Sequence, residues 1–212
     1  FDAVTDALTR WRWLPEVRWV NQYHDEAGYI GALSASVRES WASRGRGEHL
    51  LMSFHGLPKR YLLAGDPYHC QCQKTARLLA DSLFLKEGEW SIAFQSRVGR
   101  EEWLKPYTEE HLQEMAARGV KRVDVVCPGF SVDCLETLEE IAMRYAESFT
   151  EAGGETLHYI PALNARSDHI SFLTQLAIRH VQGWAETLPS WDADARREEL
   201  VESARRAKSG GA

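Results

Sequence analysis

The stretch "HLLMSFHGLP", residues 49–58, decides the predicted fold. Its first six residues form an apolar run of strand length, and Gly56 and Pro58 break the chain directly after His55. Similar apolar runs follow along the chain, at 89–96, 122–130 and 155–163. Segments with helical spacing separate these runs, and this alternation predicts an α/β fold with a mostly parallel sheet.

The predicted helices follow from apolar residues repeated at helical spacing, and they cover 25–45, 72–85, 108–119, 133–154 and 167–184. A further short run at 17–20, "VRWV", predicts another strand. Thr108 is predicted as an N-cap, with Gly119 just after the C-terminus of the same helix. The charged segment at 185–212 predicts an amphipathic helix followed by a disordered tail.

The composition excludes several classes of protein. The net charge is −6 and no basic stripe is present, which argues against a nucleic-acid partner. No apolar run approaches the ~18 residues that a bilayer-spanning helix needs. Four cysteines are few for 212 residues, so we expect a reducing, cytoplasmic compartment. The chain starts at Phe1 inside a helical pattern, and we therefore expect an N-terminal part to be absent.

Three unusual loops follow predicted strands, at 55–58, 95–107 and 128–136. In parallel sheets, ligands bind at the carboxyl ends of the strands, so these loops mark the candidate site. His55 there is a packed core residue, a base or a metal ligand. Glu136 and Glu140 share one helix face and would oppose it. Alternatively, Asp133 and Glu136 form a capping box that only stabilises the helix.

Two further features leave alternatives open. Trp103 is either a loop anchor or a wall against which a flat ligand stacks. Cys70, Cys72, Cys127 and Cys134 could formally hold an iron–sulfur cluster, but Cys-x-Cys is not a familiar metal-site spacing. A nucleophilic Cys–His pair lacks an orienting residue in a recognisable context.

Five long motifs, in this order, resemble the ferrochelatase family: "SFHGLPKRY", "GDPYHCQCQKTARLL", "FQSRVGREEWLKPYT", "CPGFSVDCLETLEEI" and "YIPALN". That family inserts Fe²⁺ into protoporphyrin IX, the last step of haem synthesis. The resemblance implies a chelatase-like fold of two Rossmann-like halves. Here it implies a remnant of the N-terminal half at 1–48, a complete C-terminal half at 49–184, and a charged helical or disordered tail at 185–212.

The resemblance also implies the roles of individual residues. His55 and Glu136 would be the catalytic, metal-contacting pair, and Glu140 would continue an acidic relay. The positions matching the porphyrin pocket are Trp103, Phe130, Asp133, Gln95 and Ser96. This sequence departs from the family pattern at Cys134, where many members have His, and at Arg144, where some continue the acidic line.

The expected substrates are protoporphyrin IX and Fe²⁺, with no permanently bound cofactor. No [2Fe–2S] cluster is expected, because no cysteine follows Cys134. Two alternatives remain: a chelatase for another tetrapyrrole, such as a coproporphyrin or a cobalt-accepting precursor, and a non-catalytic porphyrin- or haem-binding fragment. Oligomeric state and peripheral membrane contact stay open.

Overall fold

The computed structural model describes residues 1–210, and within that range the chain forms helices and one four-stranded sheet. The strands are β1 (His49–His55), β2 (Trp90–Gln95), β3 (Arg122–Val126) and β4 (Thr156–Ile160). The α-helices are α1 (Asp2–Leu8), α2 (Ala27–Arg44), α3 (Lys59–Leu63), α4 (Tyr68–Ser82), α5 (Thr108–Ala117), α6 (Leu135–Leu138), α7 (Ala146–Glu151), α8 (Ser167–His180) and α9 (Ala193–Ser209). A π-helical segment spans Glu140–Tyr145, and a 3₁₀ turn spans Ala185–Thr187.

The sheet is parallel throughout, in the order β2-β1-β3-β4. The register pairs His55 with Gln95 at the ends of β1 and β2, and Met52 with Val126 on β3. The carboxyl ends of these three strands therefore meet at one edge of the sheet. This arrangement confirms the predicted α/β fold with a parallel sheet flanked by helices.

Two layers of helices cover the sheet. On one side, Leu51 and Val125 pack with Leu112 of α5 and Phe149 of α7, all four fully buried. Successive strand side chains point to opposite faces, so Met52 faces the other layer, in which α2 and α4 pack together. Each fully buried aliphatic side chain contributes roughly 2 kcal/mol, so this double core dominates the stability.

Three local predictions were wrong. Residues 17–20 form no strand, because they have no ladder partner within the described range. The N-cap of α5 is Tyr107 rather than Thr108, whose buried hydroxyl instead lies 2.8 Å from that of Ser53. The single helix predicted at 133–154 is divided into α6, the π-helical segment and α7.

The chain divides into two compact units, Phe1–Asn21 with Thr174–Ala212, and Gln22–Leu173. In the first unit, α9 forms within the predicted charged tail. The Asp192 side chain caps α9 by accepting hydrogen bonds from the backbone N–H groups of residues 194 and 195. None of its residues is buried. Gly211 and Ala212, the end of that tail, lie outside the described residues. No helix within residues 1–210 has the length and apolar character needed to cross a bilayer.

Candidate active site

His55 is the last residue of β1 and lies half-buried at the carboxyl edge of the sheet. Its Nδ1 atom lies 2.7 Å from the carbonyl oxygen of Gly56. A carbonyl oxygen can only accept a hydrogen bond, so Nδ1 must carry the proton. The Nε2 lone pair is then the one that can accept a proton or bind a metal ion.

Gly56 is required by the close approach of two loops. Its N–H donates to the Gln95 carbonyl over 2.8 Å. A Cβ atom on residue 56 would lie 2.8 Å from that carbonyl oxygen and 3.0 Å from Cε3 of Trp103. Only glycine allows the chain to turn here, and the turn fixes the position of the imidazole.

Aromatic side chains flank the imidazole of His55. The ring centroids of Trp103 and Phe130 lie 6.3 and 6.2 Å from that of His55. Tyr68 donates its hydroxyl to the His55 carbonyl over 2.9 Å, which anchors the end of β1. Two of the five residues predicted to line a porphyrin pocket therefore lie beside the predicted base.

The start of α6 places Glu136 beside this group. The predicted Asp133–Glu136 capping box is wrong, because Cys134 and Thr137 cap this helix reciprocally. Glu136 is therefore not used as a cap. Its pKa is lowered by a hydrogen bond with the Cys134 side chain, by its own backbone N–H and by the charge of His55. Glu136 thus lies within electrostatic range of His55, and its carbonyl accepts from Gln95, the residue that pairs with His55 in the sheet.

Glu140 begins the π-helical segment and is 5% exposed. Its carboxylate accepts hydrogen bonds from the Ser96 N–H (2.9 Å), the Ser96 hydroxyl (2.5 Å) and the Tyr145 hydroxyl (2.6 Å). The Arg144 guanidinium lies 3.3 Å away and Gln95 Nε2 also lies at 3.3 Å. A buried charge needs several hydrogen-bonding or charged partners, and the four residues named here supply them to Glu140.

Comparison with known proteins identifies the family of this chain. The family model for ferrochelatase matches residues 1–181. The chain belongs to the ferrochelatase family.

Individual ferrochelatases give the same result. The chain is 63% identical over 208 residues to a ferrochelatase of Nitrosococcus oceani, covering 98% of this chain and 55% of that protein. It is 57% identical over its whole length to one of Thioalkalivibrio sulfidiphilus, covering 58% of that protein, and 56% identical over 185 residues to one of Teredinibacter turnerae, covering 87% of this chain and 50% of that protein. The chain thus spans about half the length of the curated ferrochelatases it matches.

The other predicted porphyrin-lining residues occupy different positions. Gln95 is 1% exposed, and its amide is held by the Ser53 hydroxyl and by the Glu136 carbonyl (2.6 Å from Nε2). Ser96 adopts a left-handed backbone, φ 64°, which aims its N–H and hydroxyl at Glu140. Both side chains therefore bond to protein groups rather than facing the space beside His55.

Asp133 also has its carboxylate bonded to the protein. It accepts hydrogen bonds from Tyr159 (2.7 Å), Asn164 (2.7 Å), Thr137 (3.1 Å) and the N–H of Ala162 (3.2 Å). Partial burial would raise the pKa of Asp133, but these bonds outweigh it and hold the pKa below its ordinary value. Asp133 thereby ties the loop before α6 to the loop after β4.

Sequence reasoning missed two residues that support the site, Tyr145 and Thr137. Tyr145 reaches Glu140 across five residues, which is the repeat of a π-helix and not of the α-helix that the apolar spacing predicts. Within residues 1–210, no three side chains of His, Cys, Asp or Glu come together as a metal-binding group.

Proposed function

We propose that the protein carrying this chain is a ferrochelatase that inserts Fe²⁺ into protoporphyrin IX and releases two protons. The observation that carries the proposal is the position of His55 beside Trp103 and Phe130 at the carboxyl edge of the sheet, where its register partner Gln95 also donates to the Glu136 carbonyl. Family membership supports the same reaction. Fe²⁺ is a substrate in this proposal, and no permanently bound cofactor is invoked.

Metallation requires loss of two pyrrole N–H protons. A base with a pKa near neutrality is best suited to accept them, and an imidazole meets that requirement. In the tautomer set by the Gly56 carbonyl, Nε2 of His55 is the accepting atom. We assign His55 the roles of proton acceptor and contact for the incoming ion.

Glu136 supplies the opposing negative charge. Its lowered pKa keeps it ionised at neutral pH, and a single carboxylate with an imidazole binds Fe²⁺ weakly enough to release it to the macrocycle. Glu140 lies one turn farther along. Gln95 bridges the two positions by donating to the Glu136 carbonyl and to the Glu140 carboxylate, which supports a relay role for Glu140.

The porphyrin is a flat, largely apolar ring, and the surface beside the pair suits such a ligand. Trp103 and Phe130 flank His55, and two exposed side chains, Leu135 (78% exposed) and Val132 (58%), lie one and four residues before Glu136 in the sequence. Aromatic and aliphatic walls can hold and bend the ring so that its nitrogen lone pairs become accessible. Contacts of Gln95, Ser96 and Asp133 with the porphyrin remain predictions.

The setting of the reaction is proposed from the low cysteine content of the sequence. We place the protein in the cytoplasm and keep the divisions 1–48, 49–184 and 185–212 as predicted boundaries. Oligomeric state and membrane contact form no part of the proposal.

Anaerobic metallation of protoporphyrin IX tests the proposal, with the protein at its natural length and loss of porphyrin fluorescence as the signal. Glu136→Gln should lower kcat/KM by about 100-fold, because loss of a side chain that takes part in proton transfer has an effect of this size. Glu139→Gln, an exposed glutamate three residues on, is the matched control and should leave the rate unchanged.

Parallel assays separate the alternatives. Faster metallation of coproporphyrin than of protoporphyrin IX would contradict the proposed substrate. Saturable porphyrin binding with no metal insertion by the wild-type protein would favour a carrier over an enzyme.

A further inference from the structure

A second groove, separate from His55, follows the C-terminal half of α2. Its larger part, about 550 Å³, lies between α2 and the end of β4. Its smaller part, about 260 Å³, lies between the segment after α2 and the first residues of β3 and β4. Arg44 and His158 line both parts. The smaller part is therefore at the amino end of the strands, opposite to His55.

Three arginines, Arg44, Arg46 and Arg122, surround the smaller part of the groove, with Asp124 as its one carboxylate. This positive surplus stands out in a chain with a net charge of −6. Two of the arginines belong to the sequence Arg-Gly-Arg-Gly at 44–47. Gly45 has φ +83°, which turns the chain out of α2, so that the segment continues along β3.

Asp124 leaves this surplus in place, because one carboxylate faces three guanidinium groups and internal donors hold that carboxylate inward. It is 3% exposed, and its carboxylate accepts the Trp41 indole N–H (2.6 Å) and the Gly47 N–H (2.8 Å). His158 Nδ1 lies 3.4 Å from its second oxygen. With Nδ1 directed at Asp124, Nε2 of His158 is the nitrogen directed away from this buried carboxylate.

The three arginines can be recruited by an anion. Arg44 forms no ion pair or hydrogen bond through its side chain with any residue in the described range 1–210. Arg122 meets Glu48 only at 3.9 Å, and Arg46 meets Glu89 at 3.1 Å while its guanidinium stacks on Trp41. Exposed ion pairs of this kind contribute little stability, so a ligand can replace them at a small cost in free energy.

The larger part of the groove has a different character. Ser36, Ser40 and Arg44 are spaced four apart and so form one row along α2. Arg166 is already neutralised there by Glu39 (2.7 Å) and Asp168 (2.9 Å). Apart from Arg44, which both parts share, its charged side chains Glu39 and Arg166 are paired with each other, so its hydroxyl groups suit the neutral polar portion of a ligand.

We propose that this groove binds a small phosphate-bearing molecule, with the phosphate among Arg44, Arg46 and Arg122. Guanidinium groups match phosphate oxygens in geometry as well as charge, and the larger part has a volume typical of small-ligand sites. The polar remainder of the ligand extends along the serine row of α2. The site is independent of metal insertion at His55.

Isothermal titration calorimetry of the purified protein at physiological salt tests the proposal, with pyrophosphate, AMP and adenosine as probes. Pyrophosphate and AMP should bind saturably at one site, and adenosine should not. Arg44→Gln and Arg122→Gln should each weaken binding about tenfold. Arg77→Gln removes an exposed charge from α4 and is the matched control, with an expected change of less than about twofold.

Several outcomes would overturn the assignment. They are the absence of saturable pyrophosphate or AMP binding to the wild-type protein, equal affinity of Arg44→Gln and wild type, or binding of adenosine as tight as that of AMP. Unfolding curves of each variant establish that the fold is intact. If AMP binds more tightly than pyrophosphate and Ser40→Leu removes that advantage, the serine row contacts the remainder of the ligand. Ser40→Leu with the advantage retained would contradict that placement.

Discussion

Glu140→Gln is the substitution whose cost the structure defines best, because it keeps the side-chain shape and removes only the charge. In the wild type, one carboxylate oxygen accepts from the Ser96 N–H and the Tyr145 hydroxyl. The other accepts from the Ser96 hydroxyl and from Gln95. A glutamine retains the first oxygen, while its NH₂ group replaces the second. The Ser96 hydroxyl can then rotate to accept, but Gln95 loses one acceptor.

The magnitude follows from the three short hydrogen bonds. A bond to a charged group contributes about 1.5–3 kcal/mol and a neutral one about 0.5–1.5 kcal/mol, so each of the three loses about 1 kcal/mol. Removing a buried charge also relieves part of its desolvation penalty. We therefore expect the free energy of unfolding to fall by about 2–3 kcal/mol. Glu140→Ala should cost more, because it leaves the Ser96 N–H with no acceptor.

Urea unfolding at pH 7, followed by circular dichroism, measures this difference at constant m-value. Glu139→Gln is the matched control, since Glu139 is 52% exposed and should change stability by less than about 0.5 kcal/mol. A Glu140→Gln variant as stable as Glu139→Gln would refute the reasoning. So would a Glu140→Ala variant more stable than Glu140→Gln.

Three other predictions follow from the site and its surroundings. Gly56→Ala should destabilise the protein by about 1–3 kcal/mol and slow metal insertion, because a Cβ there meets the Gln95 carbonyl; equal unfolding midpoints for variant and wild type would contradict this. The lowered pKa of Asp133 contributes stability that is complete above the ordinary aspartate pKa and is lost as the pH falls through the folded-state pKa. Asp133→Asn should therefore have a lower free energy of unfolding than the wild type at pH 7, and this difference should narrow below about pH 4. A difference that stays constant with pH would exclude the mechanism. Burial raises the pKa of Cys72 to about 12 and the pKa of Cys127 well above its ordinary value. Mass spectrometry after treatment with iodoacetamide at pH 8 should therefore find the exposed Cys70 alkylated first and Cys127 alkylated only after unfolding. Early alkylation of Cys127 would count against its burial.

The strands and the position of the site could be predicted because both depend on local patterns. Apolar runs that end at His55, Gln95 and Cys127 place three loops at one sheet edge, whatever the details of packing. The resemblance then singled out His55 and Glu136 within those loops. Their joint role in catalysis stays a prediction.

The polar network could not be predicted, because it depends on tertiary contacts. Nothing in the spacing of residues 133–154 indicates that Glu140 is buried against Ser96 and Tyr145, or that the helix takes a π-helical repeat there. Asp133 is a better N-cap by propensity than Cys134, but its carboxylate is bonded to Tyr159 and Asn164. Gln95 is similarly held by Ser53 and by the Glu136 carbonyl, so its side chain is turned inward.

The most direct test of the account compares His55→Ala with His111→Ala in anaerobic metallation of protoporphyrin IX. His111 lies on α5 and bonds to Ser91 near the opposite end of β2, which makes it a matched control. With porphyrin binding and unfolding midpoint checked for each variant, His55→Ala should lower the insertion rate by about 100-fold or more, and His111→Ala by less than about threefold. A folded His55→Ala variant that binds porphyrin and inserts Fe²⁺ at the wild-type rate would contradict the central claim.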